Sequence, residues 1–100
     1  MVKKFDVFFC ESLGTEKPCV VLSPDEMNEI LPYVLVAPIT NVMRGFPCRV
    51  GVKLKGQAGQ VALDLIRPVS KAYLTKKIGS LPEALQQEMI KLLKDLFVLN

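Results

Sequence analysis

The sequence contains no histidine among its 100 residues. That absence removes the commonest general base, the Ser-His and Cys-His nucleophile pairs, and most zinc sites. Any catalysis falls to Lys, Arg, carboxylates or hydroxyls. Carboxylates are also sparse: the ten Asp and Glu are scattered, with no DxD-like cluster at a strand end, which argues against a magnesium-dependent nuclease. The three cysteines, Cys10, Cys19 and Cys48, are odd in number and lack metal-type spacing. Each lies in or beside an apolar run, so buried, reduced thiols are expected. No apolar run approaches the roughly 20 residues that span a bilayer. Asp6 interrupts what would have to be the apolar stretch of a signal peptide, so the chain reads as cytoplasmic, with no membrane partner. There is no internal repeat, linker or low-complexity segment.

Half of the residues are hydrophobic and 23% are charged, which indicates one packed domain spanning residues 1–100. The mean hydropathy of +0.31 is high for so short a chain, and favours a homo-oligomer or a permanent partner. Charge is uneven. Residues 1–79 carry eleven Lys and Arg against seven Asp and Glu, and residues 80–100 carry two against three. A mildly basic body suits an anionic partner.

Residues 4–10 read as a first strand, rich in aromatic and β-branched side chains. Residues 14–18 read as a polar loop closed by Pro18, and residues 19–22 as a short strand buried on both faces. Ser23-Pro24-Asp25-Glu26 has the form of a capping box opening a helix that Pro32 closes. Residues 33–40 form another apolar strand, in which Pro38 implies an edge or a bulge. Residues 41–47 are a loop, residues 49–54 alternate strictly, residues 55–59 are a turn, and residues 60–67 are a strand stopped by Pro68. Ser80-Leu81-Pro82-Glu83 is a second capping box, followed by Leu85, Met89, Leu92, Leu93 and Leu96 at helical spacing. Five or so short strands with one terminal helix predict a mainly β fold, a bent antiparallel sheet or partly open barrel.

Five strings, residues 17–28, 36–40, 44–50, 59–67 and 76–81, in order along nearly the whole chain, resemble the MazF/PemK toxins. Residues 17–28, Lys-Pro-Cys-Val-Val-Leu-Ser-Pro-Asp-Glu-Met-Asn, are similar to that family's Arg-Pro, apolar strand and Ser-Pro-Asp-Glu-x-Asn. Residues 36–40 (Val-Ala-Pro-Ile-Thr), 44–50 (Arg-Gly-Phe-Pro-Cys-Arg-Val), 59–67 (Gly-Gln-Val-Ala-Leu-Asp-Leu-Ile-Arg) and 76–81 (Lys-Lys-Ile-Gly-Ser-Leu) continue the pattern. The resemblance implies an SH3-like barrel with a C-terminal α-helix and a homodimer. It also implies metal-independent cleavage of single-stranded RNA without a cofactor, and a cognate antitoxin whose disordered tail covers the RNA groove. The chain departs from the pattern in three places. Its first loop is several residues short, Lys17 stands where the family has arginine, and Leu65 stands where it has glutamine.

Cleavage of RNA without metal uses the substrate's 2′-hydroxyl as nucleophile, and needs a cation near the phosphate with a hydroxyl across from it. By resemblance, Lys17 takes the place of the catalytic arginine and Thr40 that of the hydroxyl. Thr15, Glu16, Arg44, Phe46, Arg49, Asp64 and Arg67 are the candidate RNA-binding residues, with Glu16 also a candidate base. Each has a bland alternative. Lys17 and Glu16 suit a solvated loop, Thr40 a bond to backbone, and the Lys76-Lys77 pair plain solvation. Asp64, an acid in an apolar strand, needs a partner such as Arg49 or Arg67. Arg44 and Arg49 flank Phe46-Pro47, a combination suited to phosphate contact and base stacking. The rival to an enzyme is a non-catalytic member of the same fold: a gyrase poison of the CcdB type, a decayed toxin that still binds antitoxin, or a barrel that binds RNA without cutting it.

Overall fold

The computed structural model describes residues 2–12 and 15–97, with backbone only at residues 12, 15 and 16. In chain order the elements are β1 (Asp6–Ser12), β2 (Thr15–Val21), α1 (Asp25–Ile30), β3 (Tyr33–Thr40), β4 (Arg49–Leu54), β5 (Gln57–Ala62), β6 (Arg67–Ser70), β7 (Leu74–Ser80) and α2 (Glu83–Phe97). Single 3₁₀ turns at Leu63–Leu65 and Lys71–Tyr73 precede β6 and β7. The strands form one antiparallel sheet in the order β4-β5-β3-β2-β1-β7, with β6 paired to β3 off that path. The sheet curls into a half-barrel, and α2 packs on it. This is the mainly β fold with a terminal helix that the sequence predicts.

The core divides by strand face. Val7, Val20, Ala37, Ile39, Val50, Val52 and Val61 point into the concave side, where they meet Leu63, Leu81 and Met89. Met89 is wholly buried, and Leu85, Ile90, Leu92 and Leu93 pack partly against the same cluster, so α2 seals the barrel with the predicted stripe. Leu96 is the exception: it lies past the core and is 45% exposed. Cys10, Cys19, Val21, Val34, Val36 and Val69 form a second cluster on the opposite face of the sheet. β2 and β3 are therefore buried on both faces, which accounts for their continuous apolar runs. Cys10 and Cys19 are buried free thiols, and desolvation, aided by Cys10, pushes the Cys19 thiol up to about 12. Cys48 is half-buried against the core.

Tertiary pairing overrides local reading at several points. Residues 15–18 are strand rather than loop: Cys10 pairs with Lys17 and Phe9 with Pro18, because β1 supplies a ladder that weak local propensity does not forbid. Pro38 marks neither an edge nor a bulge. β3 is a central strand, flanked on one side by β2 and on the other by β6 at residues 33–36 and β5 at residues 39–40. Pro38 occupies the interval between the last two, where a missing N–H breaks no ladder bond. Residues 60–67 are not one strand, because the chain steps through the 3₁₀ turn to bring β5 and then β6 beside β3. The 55–59 turn shrinks to Lys55-Gly56, whose φ values of 50° and 81° suit a primed two-residue hairpin closing on the Leu54↔Gln57 pair.

Neither serine caps as a capping box would. The Ser23 hydroxyl donates to Asn28 Oδ1 and accepts from the Leu35 N–H at 3.1 Å, tying α1 to β3, while Pro24 is the N-cap residue of α1. The Ser80 hydroxyl instead donates to buried Asp6 Oδ1 at 2.7 Å.

Candidate functional site

A cavity of about 790 Å³ opens where β2 and β3 part company. Their ladder ends at Cys19↔Pro38, and continuing that register sets Lys17 across from Thr40. Lys17, Pro18, Pro38, Thr40, Asp64 and Arg67 all line the cavity. Gln57 and Asn41 add polar groups, and Ile39, Leu54, Leu65 and Ile66 give it an apolar wall. The step in the chain between β5 and β6 builds the far side, so Asp64 and Arg67 reach the cavity from beyond the 3₁₀ turn. Two cations, a hydroxyl and an apolar wall in one depression suit a phosphodiester with a base beside it.

Each polar group has its own environment. The Thr40 Oγ1 accepts the N–H of Val42 at 3.0 Å, which leaves its hydroxyl proton for another acceptor. Asp64 resolves to the ion-pair alternative, with Arg49 as its partner. Arg49 Nε donates to Asp64 Oδ1 at 2.7 Å and Nη2 to Oδ2 at 3.1 Å, a two-pronged pairing. The hydrogen bonds from Arg49 hold the Asp64 carboxyl below the usual carboxylate range, and the same bonds raise the guanidinium pKa. The Arg49 side chain is only 8% exposed, and its guanidinium lies 5.1 Å from the centre of the Phe46 ring.

Arg44, Phe46 and Arg49 do not line the cavity. They belong to the segment beside it, residues 41–49, which leaves the site directly after Thr40. Arg44 is exposed and Phe46 is 50% exposed, flanked by Val42 and Met43 at 50% and 54%. The side chains of Thr15 and Glu16, and the tip of the shortened hairpin at residues 13 and 14, lie outside the described residues. Among the described residues, no three Cys, Asp or Glu side chains gather as metal ligands would. Gln57 and Asn41 were not foreseen, since neither motif nor periodicity marks an amide at the mouth of a cavity.

A sequence profile of the PemK-like, MazF-like toxins of type II toxin–antitoxin systems matches residues 3–97. The chain belongs to that family. Solved MazF-like structures share the fold. A mycobacterial endoribonuclease in complex with its cognate antitoxin superposes with a TM-score of 0.87 at 21% identity, covering 95% of this chain and 93% of that one. The Mycobacterium tuberculosis toxin MazF-mt6 gives 0.84 at 23% identity, with 95% and 98% covered. A MazE–MazF complex from Deinococcus radiodurans gives 0.84 at 21% identity, with 99% and 97% covered. Among curated proteins, none matches the chain significantly by sequence. This MazF-like toxin has no described helix long and apolar enough to cross a membrane.

Proposed function

We propose that this MazF-like toxin is a metal-independent endoribonuclease acting on single-stranded RNA, with Lys17 and Thr40 as its catalytic residues. The observation that carries the reading is the cavity they share at the parting of β2 and β3, with Arg67 on its far wall. In the reaction the 2′-oxygen attacks the adjacent phosphorus, a P–O bond forms, and the bond to the 5′-oxygen breaks. The products are a 2′,3′-cyclic phosphate and a 5′-hydroxyl, the proton lost by the nucleophile being balanced by one gained at the leaving oxygen. The Lys17 ammonium and the Arg67 guanidinium stabilise the extra negative charge on the phosphorane, and the Thr40 hydroxyl donates to a non-bridging oxygen. Asp64 is a weak base in this setting, because Arg49 holds its carboxylate ionised and occupied. Its role is to fix the wall of the cavity, while Glu16 is the candidate base.

The family supports the remaining parts of the reading: a cognate antitoxin that blocks the site, a homodimer as the active form, and a cytoplasmic setting. The substitution of lysine for the family's arginine favours a second reading, in which the chain binds RNA without cutting it. Lysine lacks the planar fork that grips a phosphate at two points.

Incubation with mixed-sequence RNA in EDTA separates the two. Discrete fragments ending in cyclic phosphate support the nuclease, and intact RNA that remains bound supports the binder. Lys17→Ala is expected to abolish cleavage and Lys17→Arg to raise it, read as initial rates on a labelled RNA. If both variants cut at the parental rate, Lys17 is not the catalytic cation.

A further inference from the structure

We infer that Gln60 is a positioning residue for RNA binding, its side-chain amide holding residues 41–48 as a rigid ledge beside the cavity. The inference rests on the nuclease reading, since it names what shapes the flanking contact of that same site.

Gln60 lies in β5 directly opposite Thr40, the last residue of β3. Its Nε2 donates to the Arg44 carbonyl at 2.9 Å and its Oε1 accepts the Arg44 N–H at 2.9 Å. The amide thus pairs with both polar groups of one peptide residue, as a neighbouring strand would. The rest of the segment is tied down at a regular interval. The Val42 N–H bonds Thr40 Oγ1 at 3.0 Å, the Phe46 carbonyl accepts from the Arg49 N–H at 3.2 Å, and the Cys48 carbonyl accepts from the Leu63 N–H at 3.1 Å. Between Val42 and Phe46 the Gln60 amide supplies the tie. Its removal would release the stretch that carries Met43 and Arg44.

What the ledge presents explains why it is held. Val42, Met43 and Phe46 are each half exposed and Arg44 is exposed, so apolar surface and a cation are displayed to solvent rather than packed. A stiff run of this composition, beginning at the candidate catalytic hydroxyl, suits bases that stack and a backbone phosphate that follows. A mobile run of the same residues would lose ordering entropy at each binding event.

The test uses the full chain and one single-stranded 12-mer in two forms: fully 2′-O-methylated for fluorescence anisotropy, and unmodified for kinetics. Gln60→Met keeps the bulk and removes both hydrogen bonds. It is expected to raise Kd for the methylated strand and KM for the unmodified one about tenfold, with kcat within about twofold and Tm close to the parent's. In an Arg44→Ala background the same substitution is still expected to raise Kd, because Gln60 holds the main chain of residue 44, which alanine keeps. Gln60→Glu, which keeps the acceptor but sets a carboxylate against the Arg44 carbonyl, is expected to fall on the same side as Gln60→Met. The inference is overturned if Kd is unchanged in Gln60→Met, or if kcat falls with KM held, the mark of damage to Thr40 instead. A parent chain that binds the methylated strand but leaves the unmodified one intact overturns the nuclease reading alone. One that binds neither overturns both.

Discussion

At the residue scale, Asp64 shows both what a sequence discloses and where it stops. An acid inside an apolar run needs a partner, and that need is visible without coordinates. The choice of Arg49 over Arg67 is not, because it depends on β4 and β5 pairing so that Arg49 falls opposite Ala62, beside the turn that carries Asp64. The pairing has a pH signature. A carboxyl whose folded pKa is depressed contributes stability that is present above the unfolded pKa, about 3.9, and is lost as pH falls through the lower folded value. The stability difference between the parent and Asp64→Asn is therefore expected to be constant above about pH 5 and to shrink below about pH 4. Urea titrations at several pH values measure it, and a difference independent of pH would mean the ion pair contributes nothing to folding. Thr40 is the contrasting case: the sequence marks it as a candidate, and only the structure gives its oxygen an acceptor role towards Val42.

At the element scale, the strands that failed to announce themselves are those formed by pairing alone. β7 carries exposed Thr75, Lys76 and Lys77, and is a strand because β1 has an open flank. Residues 15–18 read as loop for the same reason. The serines misled because both precede a glutamate by three residues, the spacing of a capping box, whereas Ser23 and Ser80 each use that hydroxyl to join separate elements. Gly59 is the position where an element's shape bears on the site. A Cβ there would sit 3.2 Å from Ile39 Cγ2 and 3.2 Å from the Thr40 carbonyl oxygen. Ile39 is packed in the core and the oxygen is backbone, so neither gives freely and β5 would have to shift away from β3. Gly59→Ala is expected to cost about 1–3 kcal/mol in stability by chemical denaturation. It should also weaken RNA binding, measured on the folded variant, since Thr40 and Gln60 would shift together.

At the scale of the whole molecule, the fold class was readable because short apolar runs separated by turn residues admit few arrangements besides a small curled sheet. The number of strands was not, since the stretch from residue 57 to residue 70 serves one long strand twice. The helix that closes the barrel was legible from its stripe, apart from its last turn, where Leu96 and Phe97 are 45% and 69% exposed. Met89 is the wholly buried anchor of that helix. Met89→Ala is expected to cost about 2–5 kcal/mol and lower Tm accordingly, because the cavity left behind lies between α2 and the sheet, where neither can collapse. Thermal melts with matched protein concentrations test this, and a loss under 1 kcal/mol would show that α2 is held by its flanking contacts.

The change of partners along β3 has one more consequence. Because β6 ends and β5 begins on the same flank, the sheet carries a seam, and residues 64–67 at that seam form one side of the depression, with Lys17 and Pro18 of β2 on the other. Backbone ladders on either side set its width. The β1–β2 hairpin reaches the rim through Lys17 and Pro18, while the seam itself persists as long as β5 and β6 stay zipped to β3.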